Sequence, residues 1–248
     1  TGGDPSFSMN IFEIKERDGD SDLALRFDLT VPLARVVSAY PQDVRKPFKR
    51  YQVGKVCRGE KPQAGRFREF VQFDADVVGS SSMMADAEII ALMNGVMTRL
   101  GFQNFLIRVN NRKILNGLAT FAGFGEEKTA AVLRAVDKLD RDGWEKVKAE
   151  LTRQPENQWD ESALALSDEQ TQAIKRFLDL RVSGQAETLK AVEGLMENSP
   201  LAMEGVSELR EIIASVRALG VPDDKWTIDL SVARGLGYYT GPVFETVL

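Results

Sequence analysis

The chain has 248 residues, 43% of them hydrophobic and 28% charged, with a formal net charge of −5, which suits a globular core with room for a smaller second domain and argues against nucleic-acid binding over the whole surface. It has no histidine and a single cysteine, Cys57, which excludes an internal disulfide, histidine metal sites and Ser–His or Cys–His nucleophile pairs, and fits a reducing, cytoplasmic setting. No apolar run approaches the roughly 20 residues of a membrane helix, and no signal peptide is visible in these residues.

Taken in chain order, Leu23, Leu25 and Phe27 alternate with polar or small residues as in a strand, and Pro32 opens an amphipathic segment carrying Leu33, Val36 and Val37. Residues 49–58 and 69–78 read as two extended runs around a polar connector, predicting an antiparallel hairpin with a long loop. Residues 81–100 carry Ile89, Ile90, Met93, Val96, Met97 and Leu100 on one stripe, a helix stopped by Gly101. Phe105, Ile107 and Val109 alternate as a further strand. From about 111 to 204 only helical periodicity is apparent. Leu209, Ile212, Ile213, Val216 and Leu219 predict one more helix, stopped by Gly220 and Pro222. Trp226, Ile228, Leu230 and Val232 then read as a strand, followed by a glycine-rich turn and a strand from Val243. Strands, helices, then strands again predict an α+β domain interrupted by a helical insertion: residues 1–110, 111–204 and 205–248.

The hairpin's second strand has two unlike faces. With a side-chain period of two, Val71, Phe73, Ala75 and Val77 share an apolar face expected to pack on helices. Phe70, Gln72, Asp74 and Asp76 share the other. Alternation of this kind is common on a solvated sheet face, and it also fits a polar platform for a small zwitterion beside a flat base. The preceding stretch bears on the choice. Between Arg45 and Arg68 stand nine cations (Arg45, Lys46, Lys49, Arg50, Lys55, Arg58, Lys61, Arg66, Arg68) and one acid, Glu60. In an acidic chain that is a local asymmetry, and arginine suits phosphate because its fork donates paired hydrogen bonds and keeps its charge.

The run Arg234-Gly235-Leu236-Gly237-Tyr238-Tyr239-Thr240-Gly241 follows a predicted strand. Its glycines are spaced wrongly for a dinucleotide fingerprint, and a strand rather than a helix follows, so no helix N-terminus is offered to a pyrophosphate. No P-loop run is present. A tight turn with two core tyrosines, and a rigid turn presenting an arginine and tyrosine hydroxyls to a ligand, both fit.

Three segments resemble the histidyl-tRNA synthetase family, a class II aminoacyl-tRNA synthetase family. Residues 25–32, Leu-Arg-Phe-Asp-Leu-Thr-Val-Pro, are similar to its amino-acid recognition segment. Cys57-Arg58-Gly59-Glu60-Lys61-Pro62, then Gly65-Arg66-Phe67-Arg68-Glu69-Phe70 and Gln72, resemble motif 2 in its histidine-specific form. Residues 234–241 resemble the signature peculiar to the family. The three occur in family order, and the resemblance covers nearly the whole chain. It implies a class II fold, an antiparallel sheet flanked by helices with the site on the open face. It further implies a homodimer, ATP with magnesium, and activation of histidine followed by transfer to tRNA(His). Most of motif 1 would lie upstream of Thr1, with motif 3 and the anticodon-binding domain beyond Leu248.

Carried over by position, the resemblance implies that Asp28, Thr30 and Gln72 hold the amino-acid backbone groups, while Asp76 and Tyr239, beside Tyr238, read the imidazole. Arg58 and Arg234 would grip the α-phosphate as the catalytic pair. Glu60 and Phe70 would contact adenine. Arg66 and Arg68 would reach the ATP phosphates, and Lys61, Gln63 and Arg66 the tRNA acceptor end. No metal-ligating protein residue is expected. The chain departs from the family pattern at Gly237, where an acid is usual, and at Cys57, where a large aromatic is usual. A paralogous family, the histidine-sensing regulatory subunit of ATP phosphoribosyltransferase, is the alternative; it tends to lose the catalytic arginines and the tRNA-facing loop, whereas Arg58, Arg66, Arg68 and Arg234 are all present here. A plain RNA-binding module would account for the basic stretch but not for Asp28, Asp76 and the tyrosine turn.

Overall fold

The computed structural model describes residues 10–16, 19–61, 63–157, 159, 160, 162–180, 182, 184–233 and 239–248. The chain divides into two compact units, 1–81 and 82–248.

The first unit opens with a hairpin of β1 (Glu13–Glu16) and β2 (Gly19–Ala24). Residues 25–28 continue without regular structure into α1 (Thr30–Ala39), so the strand predicted through Phe27 ends earlier, at Ala24. The reason lies in the partner. Arg26 offers its carbonyl to the Cys57 amide at 2.7 Å, and its guanidinium donates twice to the Lys55 carbonyl, at 3.1 and 2.9 Å. Residues 26–29 are thus strapped to the next strand by mixed side-chain and backbone bonds. That strand, β3 (Phe48–Cys57), pairs antiparallel with β4 (Glu69–Val78) over ten unbroken positions, from Phe48 opposite Val78 to Cys57 opposite Glu69. The predicted hairpin is therefore present.

Its faces are covered the other way round from the prediction. Val71 and Phe73 are exposed, as are Tyr51 and Val53 on β3, and the Tyr51 and Phe73 rings stack with centroids 6.2 Å apart. The half-buried face is the polar one, because the segment carrying Arg26, Phe27 and Leu29 lies over it. A Cβ at Gly54 would stand 3.4 Å from Leu29 Cδ2 and 3.5 Å from Arg26 Nη2. These are ordinary van der Waals distances, so the strap lies in packing contact with the strand here.

The second unit begins with α2 (Met83–Arg99), whose first turn is capped by the Ser82 hydroxyl accepting from the Met84 amide. Then come β5 (Leu106–Asn111), α3 (Arg112–Asn116), α4 (Leu118–Ala122), α5 (Thr129–Val136), α6 (Leu139–Asp142), α7 (Trp144–Thr152), α8 (Asp168–Leu178), α9 (Gln185–Leu195) and α10 (Pro200–Ala218), followed by β6 (Trp226–Ile228) and β7 (Pro242–Val247). The stretch read as purely helical holds α3 to α9, and α10 runs through residue 204 without a break. β5 is the central strand of a three-stranded sheet, parallel to β6 and antiparallel to β7. Its side chains are buried on both faces, as a middle strand requires. Ile90, Ile107, Leu115, Phe177, Ile212 and Trp226 are among the buried residues of one core that joins this sheet to the helices.

The strand predicted from Trp226 to Val232 is cut short at Ile228. Asp229 turns the chain, its Oδ1 accepting from both the amide and the hydroxyl of Ser231 at 3.0 and 2.6 Å. A local side-chain bond of this type competes with strand pairing, and the apolar alternation of Leu230 and Val232 is met by burial in the core instead.

Candidate active site

The first unit concentrates charge on the inner face of β3 and β4. The register sets Arg50 opposite Asp76, Gln52 opposite Asp74, Gly54 opposite Gln72 and Val56 opposite Phe70. Residues directly opposite in an antiparallel pair share a face, so these side chains form one ladder. Its polar members touch in sequence. Arg58 Nη2 donates to Gln72 Oε1 at 3.4 Å, and Gln72 Nε2 donates to Asp74 Oδ1 at 3.3 Å. Arg50 Nη2 reaches Asp74 Oδ2 at 3.1 Å and Asp76 Oδ2 at 2.8 Å. The same guanidinium donates to Gln52 Oε1 and, at 2.9 Å, to the Leu29 carbonyl.

At one end of the ladder Arg58 is held by aromatic rings. Its guanidinium carbon lies 4.7 Å from the Phe27 centroid and 5.2 Å from that of Phe70, and its Nε donates to the Phe27 carbonyl at 3.3 Å. A guanidinium stacked this way keeps its charge and points its remaining N–H groups in a fixed plane. At the other end, burial first and the neighbouring Asp74 charge second push the Asp76 carboxyl above the usual aspartate range, while Arg50 pulls against both.

Two of the residues expected to bind the amino acid, Asp28 and Thr30, stand where the strap enters α1. Asp28 Oδ1 accepts the Val31 amide at 2.9 Å, fastening the helix start, and Thr30 is exposed. In the connector between β3 and β4, Arg66 pairs with Glu60 at 3.2 Å and Arg68 Nε donates to the Glu60 carbonyl at 3.3 Å. Lys61, Gln63, Arg66 and Arg68 are all exposed, a row of cations and one amide open to solvent. Among the described residues no group of three or more His, Cys, Asp or Glu could hold a metal ion.

The face thus brings carboxylate, amide and stacked guanidinium together. The family model described as Histidyl-tRNA synthetase matches residues 1–248. The chain belongs to the histidyl-tRNA synthetase family. A histidine–tRNA ligase of Clostridium tetani (strain Massachusetts / E88) is 43% identical over 232 residues, 93% of this chain and 50% of the relative. The crystal structure of a histidyl-tRNA synthetase from Nostoc sp. PCC 7120 is 38% identical with a TM-score of 0.78, covering 91% of this chain and 49% of that one. A Bacillus halodurans C structure described as an ATP phosphoribosyltransferase regulatory subunit/histidyl-tRNA synthetase has a TM-score of 0.76, covering 96% of this chain and 57% of that one, and at 24% identity it shows likeness of fold alone. The chain spans about half the length of the curated relatives it matches.

Within this synthetase-family frame, Asp28, Arg58, Phe70, Gln72 and Asp76 all belong to the first unit, with Gln72 bridging Arg58 to the acids. Tyr239 belongs to the second unit and is partly exposed, 46%. Arg234, Tyr238 and Gly237 lie outside the described residues, as does Pro62. Neither the strand pattern nor the motif resemblance assigns Arg50 a role. Strand period alone does not place it: Arg50 joins the acids only once the register sets it opposite Asp76. The signal available was a cation on the same parity as Gln52 in a strand expected to pair with the Asp74/Asp76 strand.

Proposed function

We propose that the protein activates histidine with ATP to histidyl-adenylate and transfers it to tRNA(His). The observation that supports this reading is the ladder running from Arg58 through Gln72, Asp74 and Arg50 to Asp76, in which a guanidinium, an amide and two carboxylates share one face. Family membership supports it, and the whole protein is taken to act as a homodimer in the cytoplasm. Among the described residues, no helix is long and apolar enough to cross a membrane.

In the first step an oxygen of the histidine carboxylate forms a bond to the α-phosphorus of ATP. The bond from that phosphorus to the bridging oxygen breaks, and pyrophosphate leaves. In the second step the terminal ribose hydroxyl of tRNA attacks the acyl carbon and releases AMP. Asp28, through the oxygen not spent on Val31, Thr30 and Gln72 would hold the ammonium and carboxylate groups. Asp76 would accept from an imidazole N–H, and the family resemblance gives the other ring nitrogen to the hydroxyl of Tyr239, beside Tyr238. A site that pairs ring nitrogens rejects amino acids lacking them, because its polar groups would be left unpaired. Arg58, steadied by Phe27 and Phe70, and Arg234 would offset charge growing on the α-phosphate, which is where electrostatic catalysis acts. Glu60 and Phe70 would bound the adenine. Arg66 and Arg68 would meet the outer phosphates, and Lys61, Gln63 and Arg66 the acceptor end. Magnesium would arrive on the ATP phosphates, whose oxygens suit it, and neutralise their charge.

The test is histidine-dependent exchange of pyrophosphate into ATP by the full-length protein. Exchange is expected, and Arg234→Ala should cut it by about 100-fold or more while leaving histidine affinity nearly unchanged. Histidine binding without exchange would favour the regulatory-subunit alternative. Equal losses of affinity and rate in Arg234→Ala would remove that arginine from the transition state.

A further inference from the structure

Arg50 is half-buried in the ladder, between Asp74 and Asp76. Its side chain is 14% exposed, and those of Asp74 and Asp76 are 18% and 19%. One nitrogen, Nη2, serves three oxygens: those of Asp74, Asp76 and the Leu29 backbone. Asp76 Oδ2 is shut off from solvent and lies 2.8 Å from Nη2 without hydrogen-bond alignment. What exposure Asp76 keeps therefore falls on its other atoms, and Oδ1 is the oxygen left to meet a ligand. Arg50 Nε is likewise buried and without a hydrogen-bond partner, so the guanidinium is committed inward.

Charge explains why an arginine stands here. Two carboxylates two residues apart on one strand face repel, and without a cation one of them would take up a proton. A protonated Asp76 would offer an O–H where the ligand needs an acceptor. With Arg50 in place the trio of Arg50, Asp74 and Asp76 carries one net negative charge on a half-buried face, and the ladder is electrically completed by a ligand bearing an N–H or cationic group.

We infer that Arg50 is a positioning residue for amino-acid recognition: it holds Asp74 and the inner oxygen of Asp76, so that Asp76 stays ionised and presents Oδ1 to the ring N–H of the bound amino acid. The inference rests on the reading that Asp76 contacts histidine, and it reaches the ligand only through that residue.

The experiment measures pyrophosphate exchange and equilibrium histidine binding on full-length wild type, Arg50→Gln, Arg50→Lys, Asp76→Asn and the Arg50→Gln/Asp76→Asn pair. Arg50→Gln should raise the histidine KM and Kd by about 10- to 100-fold, the size expected when a charge-assisted hydrogen bond is weakened. Its kcat and ATP KM should stay within about 3-fold of wild type. Arg50→Lys, which keeps the charge but not the fork, should fall between. The double variant should bind histidine no worse than Asp76→Asn alone, since residues acting through one contact are not additive. Unchanged histidine affinity in Arg50→Gln, parallel losses for ATP and histidine, or additive effects in the double variant would each overturn the proposal. If wild type binds histidine without exchange, the catalytic reading falls while the affinity series still decides Arg50. If wild type binds no histidine, both fall.

Discussion

Arg108 on β5 reaches across to the turn after β6. Its Nε donates to Asp229 Oδ2 at 2.8 Å, while its two terminal nitrogens donate to Asp140 and Ser231. The Arg108 side chain is 10% exposed and that of Asp229 18%. Burial pushes the Asp229 carboxyl up, but the hydroxyl and amide of Ser231 and the Arg108 charge outweigh it and hold the group below the usual carboxylate range. Removing one partner of such a pair strands the other. Arg108→Ala should therefore destabilise the protein by about 3 kcal/mol near pH 7. The sign of the pH effect follows from the depressed folded value. The stabilisation is fully present above the unfolded aspartate value of about 4 and is lost as pH falls through the lower folded one. Urea unfolding at pH 7 and near pH 3 checks this: the gap between wild type and variant should shrink in acid, and a constant gap would mean lost packing rather than a lost ion pair. At this scale the site was partly legible in the sequence. Gln72 and Asp76 could be placed together because strand parity is local; Arg50 could not, because its partners are set by register across a hairpin.

Among the elements, the crossing of α3 and α10 shows how closely two helices can be specified. A Cβ at Gly205 would fall 2.9 Å from Ile114 Cγ1 and 3.1 Å from the Ile114 amide nitrogen, and Ile114 is fully buried. Alanine favours helix over glycine by roughly 1 kcal/mol, so propensity alone predicts a stabilising Gly205→Ala. The backbone contact reverses that sign. The variant should lose about 1 to 3 kcal/mol, the usual cost of overpacking, seen as a lower denaturant midpoint at unchanged slope. A raised midpoint would show the crossing to be looser than this. The apolar periodicity of α10 was plain from Leu209 to Val216, yet its true start at Pro200, capped by the Ser199 hydroxyl, was not. The cap is a single polar residue, and what it closes is decided by packing further along.

Over the whole molecule the charge is unevenly spread: a chain of net charge −5 carries nine cations and one acid between residues 45 and 68. Not all nine are available. Arg50 is spent on acids, Arg58 sits between Phe27 and Phe70, and Lys55 is paired with Glu69 at 2.8 Å. On the connector Lys61, Arg66 and Arg68 are exposed, with Arg66 paired to Glu60 at 3.2 Å. If that connector meets the acceptor end, Lys61→Ala should weaken tRNA binding at every sequence tested and reduce the slope of log affinity against log salt by about 1. An unchanged slope in a salt titration of tRNA binding would remove Lys61 from the phosphate contacts.

The sequence by itself determined the class of elements, the hairpin, the unlike faces of β4 and the three motifs that mark the family, because all of these rest on local periodicity or on residue order. Tertiary structure decided which face of the hairpin is covered, which acids Arg50 holds, where β6 stops and how near α10 comes to α3. Each of those depends on atoms brought together from distant parts of the chain, such as Leu29 over Gly54 or Asp229 against Arg108, and no local pattern carries that information.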